Sequence, residues 1–292
     1  MHKIIECVPN YSEGRNKEVI DQIVKAIADT KVNTERGEES VKVLDVDPGE
    51  ATNRTVVTFV GSPEAAFQGE KKAAELIDMR THHGAHPRSG ATDVLPLIPV
   101  ADTTLEECAE WARGLAKRIY DELGIACYCY EAAAFTPERK NLAVCRAGEY
   151  EALPEKVSDP ARKPDFGPGV YNETVAKSGA SNVGARDFLI AVNFNLNTTS
   201  TRRATAVAFD VREKGRQARE GGNPAGKILK DENGKAIWIP GTLKGCKAIG
   251  WFIEEYGIAQ VSMNITDMNT TPLHVAFEEV CRAAAARGLR VT

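Results

Sequence analysis

The chain has 292 residues, 42% of them hydrophobic and 27% charged, an ordinary globular composition with apolar material for one or two domains. Its formal net charge of −4 excludes a general attraction to nucleic acid or an anionic membrane, so an anionic substrate must be met by a local group of Arg and Lys. Seven cysteines, with only Cys127 and Cys129 close together, form neither a C-x-x-C redox motif nor a paired zinc set, and reduced structural thiols are expected.

The amino terminus, Met1-His2-Lys3-Ile4-Ile5-Glu6, places an acid where a signal peptide needs an apolar run. No apolar stretch reaches the length of about 18 residues that a membrane span needs, so a cytoplasmic setting is expected. Ile4 to Val8 reads as a strand and Asn16 to Ala28 as an amphipathic helix, with Ser12 or Asn16 available as its cap. Strands are expected at Val41 to Val46 and Thr55 to Val60, then a helix from Ser62, which precedes Pro63, to Ile77. Val94 to Val100 reads as a strand whose Pro96 and Pro99 restrict it to an edge or an irregular segment. A long helix follows, opened by Thr103 and Glu106 or Thr104 and Glu107 at capping-box spacing and closed by Gly124.

From Leu153 to Gly184 prolines, glycines and small polar residues replace the periodic pattern, and a linker or long functional loop is expected. Beyond it come a strand at Phe188 to Leu196, a helix at Thr201 to Lys214, strands at Ala248 to Ile253 and Ala259 to Ile265, a helix at Pro272 to Arg287, and a last apolar fragment, Leu289 to Val291. Arg216 to Thr242 is a polar insertion with a hairpin turn signal at Asn233-Gly234. The second half thus reads β-α-β-β-α-β, a ferredoxin-like order, and the first half begins the same way. The expected architecture is α/β (α+β), two similar subdomains at 1–182 and 183–292.

Three histidines crowd into Thr81-His82-His83-Gly84-Ala85-His86-Pro87-Arg88. His82 and His86 stand four apart, but Gly84 and Pro87 argue against the helix that would pair them as metal ligands, and no metal is expected. A histidine held in a turn before proline suits proton transfer near neutral pH; a polar surface loop would show the same pattern. Asp47, Asn53 and Arg54 flank one edge where a strand ends and the next begins, and turn or capping roles fit them as well.

Nine stretches resemble glutamate formiminotransferases in the same order along nearly the whole chain. They are Glu6 to Gly14, Leu44 to Asp47, Thr52 to Val56, Leu76 to Arg80, Gly84 to Arg88, Arg146 to Pro154, Pro164 to Pro168, and Ile249 to Trp251 with Ala259 to Asn264. The resemblance implies two subdomains enclosing a folate cleft, a homodimer, and a catalytic histidine that carries over to His86. It implies a folate-contacting loop at Asp165, Phe166, Gly167, Pro168 and Gly169 through Gly179, a few residues longer here around Asn172 to Lys177. It also implies a further strand and helix after the segment matching Arg287 to Thr292, and only the transferase step, without a cyclodeaminase domain.

The expected reaction moves a formimino group from N-formiminoglutamate to tetrahydrofolate, a co-substrate. N5 attacks the formimino carbon, His86 takes the proton, and glutamate leaves. Asp47 is expected to stabilise amidinium charge, and Asn10, Asn53, Arg54 and Arg88 to bind substrate, the arginines through carboxylates. A formyltransferase on the same scaffold and a folate-binding protein without turnover are the alternatives.

Overall fold

The computed structural model describes residues 3–34, 37–223 and 225–292. The chain forms two compact units, Met1–Arg186 and Asp187–Thr292. The boundary expected after 182 falls inside a strand of the first unit, and the units divide at Arg186.

In the first unit, β1 (Ile4–Cys7) and β2 (Asn10–Tyr11) lead to α1 (Lys17–Ala28), whose first turn is capped by the Asn16 side chain. A hairpin of β3 (Lys31–Thr34) and β4 (Gly37–Ser40) precedes β5 (Lys42–Gly49), β6 (Arg54–Gly61), α2 (Pro63–Leu76) and β7 (Thr92–Ala101). Next, α3 (Leu105–Leu123) opens on a Thr104–Glu107 capping box, one of the two spacings read in the sequence, and closes at Gly124. It leads to β8 (Ala126–Glu131), the short helices α4 (Leu142–Cys145), α5 (Leu153–Lys156) and α6 (Glu173–Ser178), and β9 (Ala180–Ala185).

The seven-stranded sheet runs β5-β6-β1/β2-β7-β9-β8, antiparallel up to β7 and parallel beyond it. Its β5 to β7 portion has the expected ferredoxin-like order, and α3, β8 and β9 extend it. Helices α1, α2 and α3 bury their apolar stripes against one face over Cys7, Val57, Phe59, Leu95 and Cys127.

Two expectations change here. β7 is an interior strand, not an edge, because its prolines fall where no ladder donor is needed. Pro96 opposes the break between β1 and β2, and Pro99 opposes a register shift at Ile4/Ile5, beyond the end of the β9 pairing. The Leu153 to Gly184 segment is part of the first unit, not a linker between units. Its short helices pack against β8, and its end is β9, seated between β7 and β8.

In the second unit, β10 (Ile190–Asn195), α7 (Thr201–Val211), β13 (Cys246–Ile253), β14 (Ile258–Ile265) and α8 (Leu273–Ala286) form a three-stranded antiparallel sheet, β10-β14-β13, with both helices on it; β11 (Arg216–Gln217) and β12 (Trp238–Ile239) pair between α7 and β13. Leu196 bridges Val291, so the closing fragment lies beside β10 as the β-α-β-β-α-β order requires. The insertion expected at 216–242 is a hairpin whose turn brings the Gly234 N–H to Asp231 O; position 224 within it lies outside the described residues. All seven cysteines are unpaired and six are buried. Among the described residues no helix is long and apolar enough to cross a membrane.

Candidate active site

Side chains alternate along β6. Thr55, Val57 and Phe59 are buried towards the helices, so Arg54, Val56 and Thr58 face the other way. Register carries that second face sideways, since Val56 opposes both Asp47 of β5 and Asn10 of β2. Val94 of β7, Asn182 of β9 and Tyr128 of β8 continue the row, and a bulge beside Val94 leaves Asp93 as the extra residue. Cys145, Leu153, Val157 and Val175 close the β8 end over Tyr128 and Tyr130. The β5–β6–β2 end carries the polar groups, with Asp47 exposed.

The loop from α2 to β7 brings His86 to this end. Arg54 Nη1 donates to Asn10 Oδ1 at 3.2 Å and lies 3.4 Å from His86 Nε2. An arginine cannot accept, so Nε2 presents its lone pair and the ring proton is assigned to Nδ1. Burial first, then the cations Arg54 and Arg146, push the His86 pKa down to about 3, and the ring is neutral at pH 7. Burial also lowers the Arg54 pKa, against the opposing pull of Asp47 and Asp93.

Asn53 and His82 build the loop. Asn53, at φ 47°, accepts from Gly14 N through Oδ1 and donates to His83 O through Nδ2, which ties three loops together. His82 is buried, with Nε2 donating to Asn53 O at 2.8 Å and Nδ1 accepting from Arg88 Nε at 3.4 Å. The rings of His82 and His86 therefore serve different partners. A Cβ on Gly84 would stand 2.2 Å from Thr52 O, so only glycine lets the loop cross this closely. Arg88, expected to bind substrate carboxylate, has carboxylates of the chain's own: its Nη1 and Nη2 donate to Glu151 at 2.8 and 2.6 Å, and Glu149 adds a second ion pair. Arg88 thereby anchors the loop to the 149–151 turn.

The expected folate-loop residues divide into anchors and an exposed tip. Asp165 accepts from Cys129 N at 2.8 Å and from Arg139 Nη1 at 2.5 Å, and Phe166 bridges Cys127 and stacks edge-on against Phe135. Gly167 and Pro168 are half-buried, and Gly169, Val170 and Tyr171 are exposed. The Tyr171 hydroxyl lies 3.5 Å from that of Tyr150, whose ring stands beside the Arg88 guanidinium. Gly179 stands apart from this tip. At φ 71° it crosses Ser89 and Gly90, where a Cβ would meet Ser89 O at 2.2 Å, so its position answers a backbone crossing at the start of β9.

Sequence reading assigned no role to Arg146, Asp93, Glu149 or Tyr150. Arg146 pairs with the buried Asp93 at 2.7 Å and adds its charge to the field at His86. A charged residue immediately before the apolar run of β7 was the available signal. Among the described residues no group of three or more His, Cys, Asp or Glu is placed to hold a metal ion.

Residues 4–186 match the family model of the formiminotransferase domain, N-terminal subdomain, and residues 191–292 that of the formiminotransferase domain. The formimidoyltransferase-cyclodeaminase of Sus scrofa is 46% identical over the whole chain, and the chain spans about half, 49%, of that relative's length. The glutamate formimidoyltransferases of Thermoplasma acidophilum and Streptococcus pyogenes serotype M1 are 40% and 39% identical over 98% and 100% of the chain, which covers 84% and 87% of them.

Proposed function

Because the chain belongs to the formiminotransferase family, we propose that it transfers a formimino group from N-formiminoglutamate to N5 of tetrahydrofolate, releasing glutamate, in histidine degradation and one-carbon metabolism. One observation carries the reading: a neutral imidazole whose Nε2 lone pair faces a cationic, half-buried guanidinium.

N5 attacks the formimino carbon and becomes cationic; His86 takes its proton, and the imidazolium returns a proton to the glutamate nitrogen as the C–N bond breaks. A base whose pKa is near 3 is weak, first because the ring is buried and then because Arg54, the donor's proposed point of attachment, stands beside it. A donor carboxylate on Arg54 neutralises the charge that opposes protonation of His86, so donor binding strengthens the base. Asp47 is oriented on the same face to stabilise amidinium charge on the formimino group. Asn10 holds Arg54, while Asn53 and Arg88 hold the His86 loop. Gly167, Pro168 and Gly169 form the folate-contacting tip, with Asp165, Phe166 and Gly179 fixing its ends. A cytosolic homodimer belongs to the same reading, and sedimentation of the purified protein tests the dimer.

Formyl transfer is the rival, since the donor differs in a single heavy atom. Mixing the protein with tetrahydrofolate and either formiminoglutamate or formylglutamate, then following glutamate release and the folate spectrum, separates them. Turnover only with the formyl donor, or with neither, sinks the proposal.

A further inference from the structure

We propose that Arg146 completes, with Arg54, a two-guanidinium seat for one carboxylate of the donor, and that Asp93 holds Arg146 in position for it. The inference rests on the donor being a glutamate derivative, and it adds Arg146 as a specificity-determining residue.

Asp93 is nearly fully buried and held at all three of its oxygens. Its Oδ1 accepts from Ser89 N at 2.9 Å, its Oδ2 from Arg146 Nη2 at 2.7 Å, and its backbone O from Asn182 Nδ2 at 2.8 Å. A bulge aims it at the polar face, so one guanidinium nitrogen is clamped by a rigid β7 carboxylate. The rest of the guanidinium is not committed. Arg146 Nε is shut away from water without a hydrogen-bond partner among the described residues, and so is Arg54 Nε. Other arginines of the unit are engaged: Arg88 by Glu149 and Glu151, Arg139 by Asp165, Arg113 by the carbonyls of Ala132 and Ala133.

Two half-buried guanidinium groups with donors to spare face one buried carboxylate, Asp93, and one open to water, Asp47, whose charge solvent screens, so positive charge is left that is costly until an anion arrives. A carboxylate is the anion whose two oxygens match a guanidinium fork. Arg54 Nη1 lies 3.4 Å from His86 Nε2, which puts the seat beside the reacting imidazole, and the charge of Arg146 acts on the same ring. One carboxylate on the seat would thus fix the donor by its glutamate part while its formimino group meets His86.

Titration calorimetry with glutarate, a dicarboxylate without the formimino group, tests the seat apart from turnover. Wild-type protein should bind glutarate saturably, and Arg146→Gln should weaken it about 10–100-fold while tetrahydrofolate binding stays within about twofold, the size of a lost charge-assisted hydrogen bond at one ligand only. Arg146→Lys keeps a cation for Asp93 but loses the fork, and should fall between the two. If Arg146→Gln unfolds because Asp93 is stranded, the double variant Asp93→Asn with Arg146→Gln removes the stranded charge and should fold and bind glutarate weakly. Absence of glutarate binding in the wild type overturns the seat, as does wild-type affinity in the folded variants or an equal loss of tetrahydrofolate binding. Weakened glutarate binding in variants of a protein that transfers no formimino group would leave the seat standing and remove the proposed reaction.

Discussion

The two units bury different things. Among the described residues the second buries only two polar side chains, Gln260 and Thr271, and Gln260 is satisfied on both sides by Asn195 and Trp251. The first buries Asn53, Glu70, His82, Arg88, Asp93, Lys156 and Asn182, and among the described residues every buried side-chain nitrogen or oxygen without a partner lies in it. Unpartnered buried polar atoms lower stability, so a chain keeps them where chemistry uses them. The contrast predicts that substitutions in the first unit change turnover or its pH dependence, and that core substitutions in the second change stability alone.

The largest effect tests the first half of that statement. His86→Ala should lower turnover by about 10²–10⁴-fold with melting temperature and folate binding nearly unchanged, the range for a lost general base. His82→Ala should act differently, because His82 bridges Asn53 and Arg88 beneath the loop. It should soften the fold and cost turnover less. Equal losses of turnover from two folded variants would show that the two rings share the work.

In the second unit, Met263→Ala should destabilise by about 2–5 kcal/mol, read from denaturant midpoints. Met263 is buried in one cluster with Phe194, Ala248 and Val207. KM and kcat of the fraction still folded at low temperature should match wild type. A KM change there would erase the contrast.

These assignments were unequally visible in the sequence, for a physical reason. Asn16, Thr104 with Glu107, and Gly124 mark helix ends through contacts within four residues, so local reading finds them. β9 escaped because Ala180–Ala185 is built of small residues with little strand preference; it is held by neighbours on both sides. Pro96 and Pro99 suggested an edge because the break between β1 and β2 that accommodates Pro96 lies some ninety residues away in sequence. Asp47 and Arg54 stood out at a strand edge and a histidine in a turn before proline, but the choice of His86 among three histidines came from ordered family motifs, not from spacing. Arg146 and Asp93 stand 53 positions apart, and nothing local announces their pairing.

A smaller effect is expected at Glu70, on the helix side of the first unit's sheet. Glu70 accepts from Ser181 Oγ at 2.7 Å, and burial pushes its pKa from 4.5 up to about 7. A carboxyl that binds its proton more tightly when folded contributes stability in full below pH 4.5 and loses it as pH rises through 7. Glu70→Gln should therefore be more stable than wild type at pH 8, by about 1–3 kcal/mol, and the gain should vanish near pH 4. His86 works in the opposite sense: its depressed pKa contributes stability above pH 6.5 that is lost as pH falls towards 3. Urea melts of both variants across pH 4–8 should show slopes that change in opposite directions.

The same field at His86 predicts a difference between two pH profiles. The acidic limb of kcat/KM reports the free protein and should lie well below pH 6, whereas that of kcat reports the complex, where donor carboxylate has offset Arg54 and Arg146. The kcat limb should sit at higher pH. Coincident limbs would mean that the donor does not touch the arginines.

The smallest expected effect sharpens the contrast within the first unit, at the folate-contacting tip. Amides on both sides of the tip already have partners: Asp165 and Phe166 donate to Cys127 O, Ala176 to Asn172 O, and Gly179 to Val175 O. Among the described residues the amides of Gly167, Gly169, Val170 and Tyr171 donate to no backbone carbonyl, and the last three residues are exposed. These amides should exchange fast in the free protein, since no hydrogen bond must break first. Tetrahydrofolate that orders the tip should slow them while leaving 175–179 as they were, because helix α6 is anchored beforehand by Met79 N on Lys177 O and by Arg80 on Glu173. Slowing confined to 167–171 would locate folate on the tip. Equal exchange with and without saturating tetrahydrofolate would remove the tip from the site, and slowing spread across 165–180 would mean that folate orders a whole segment whose ends these contacts do not fix.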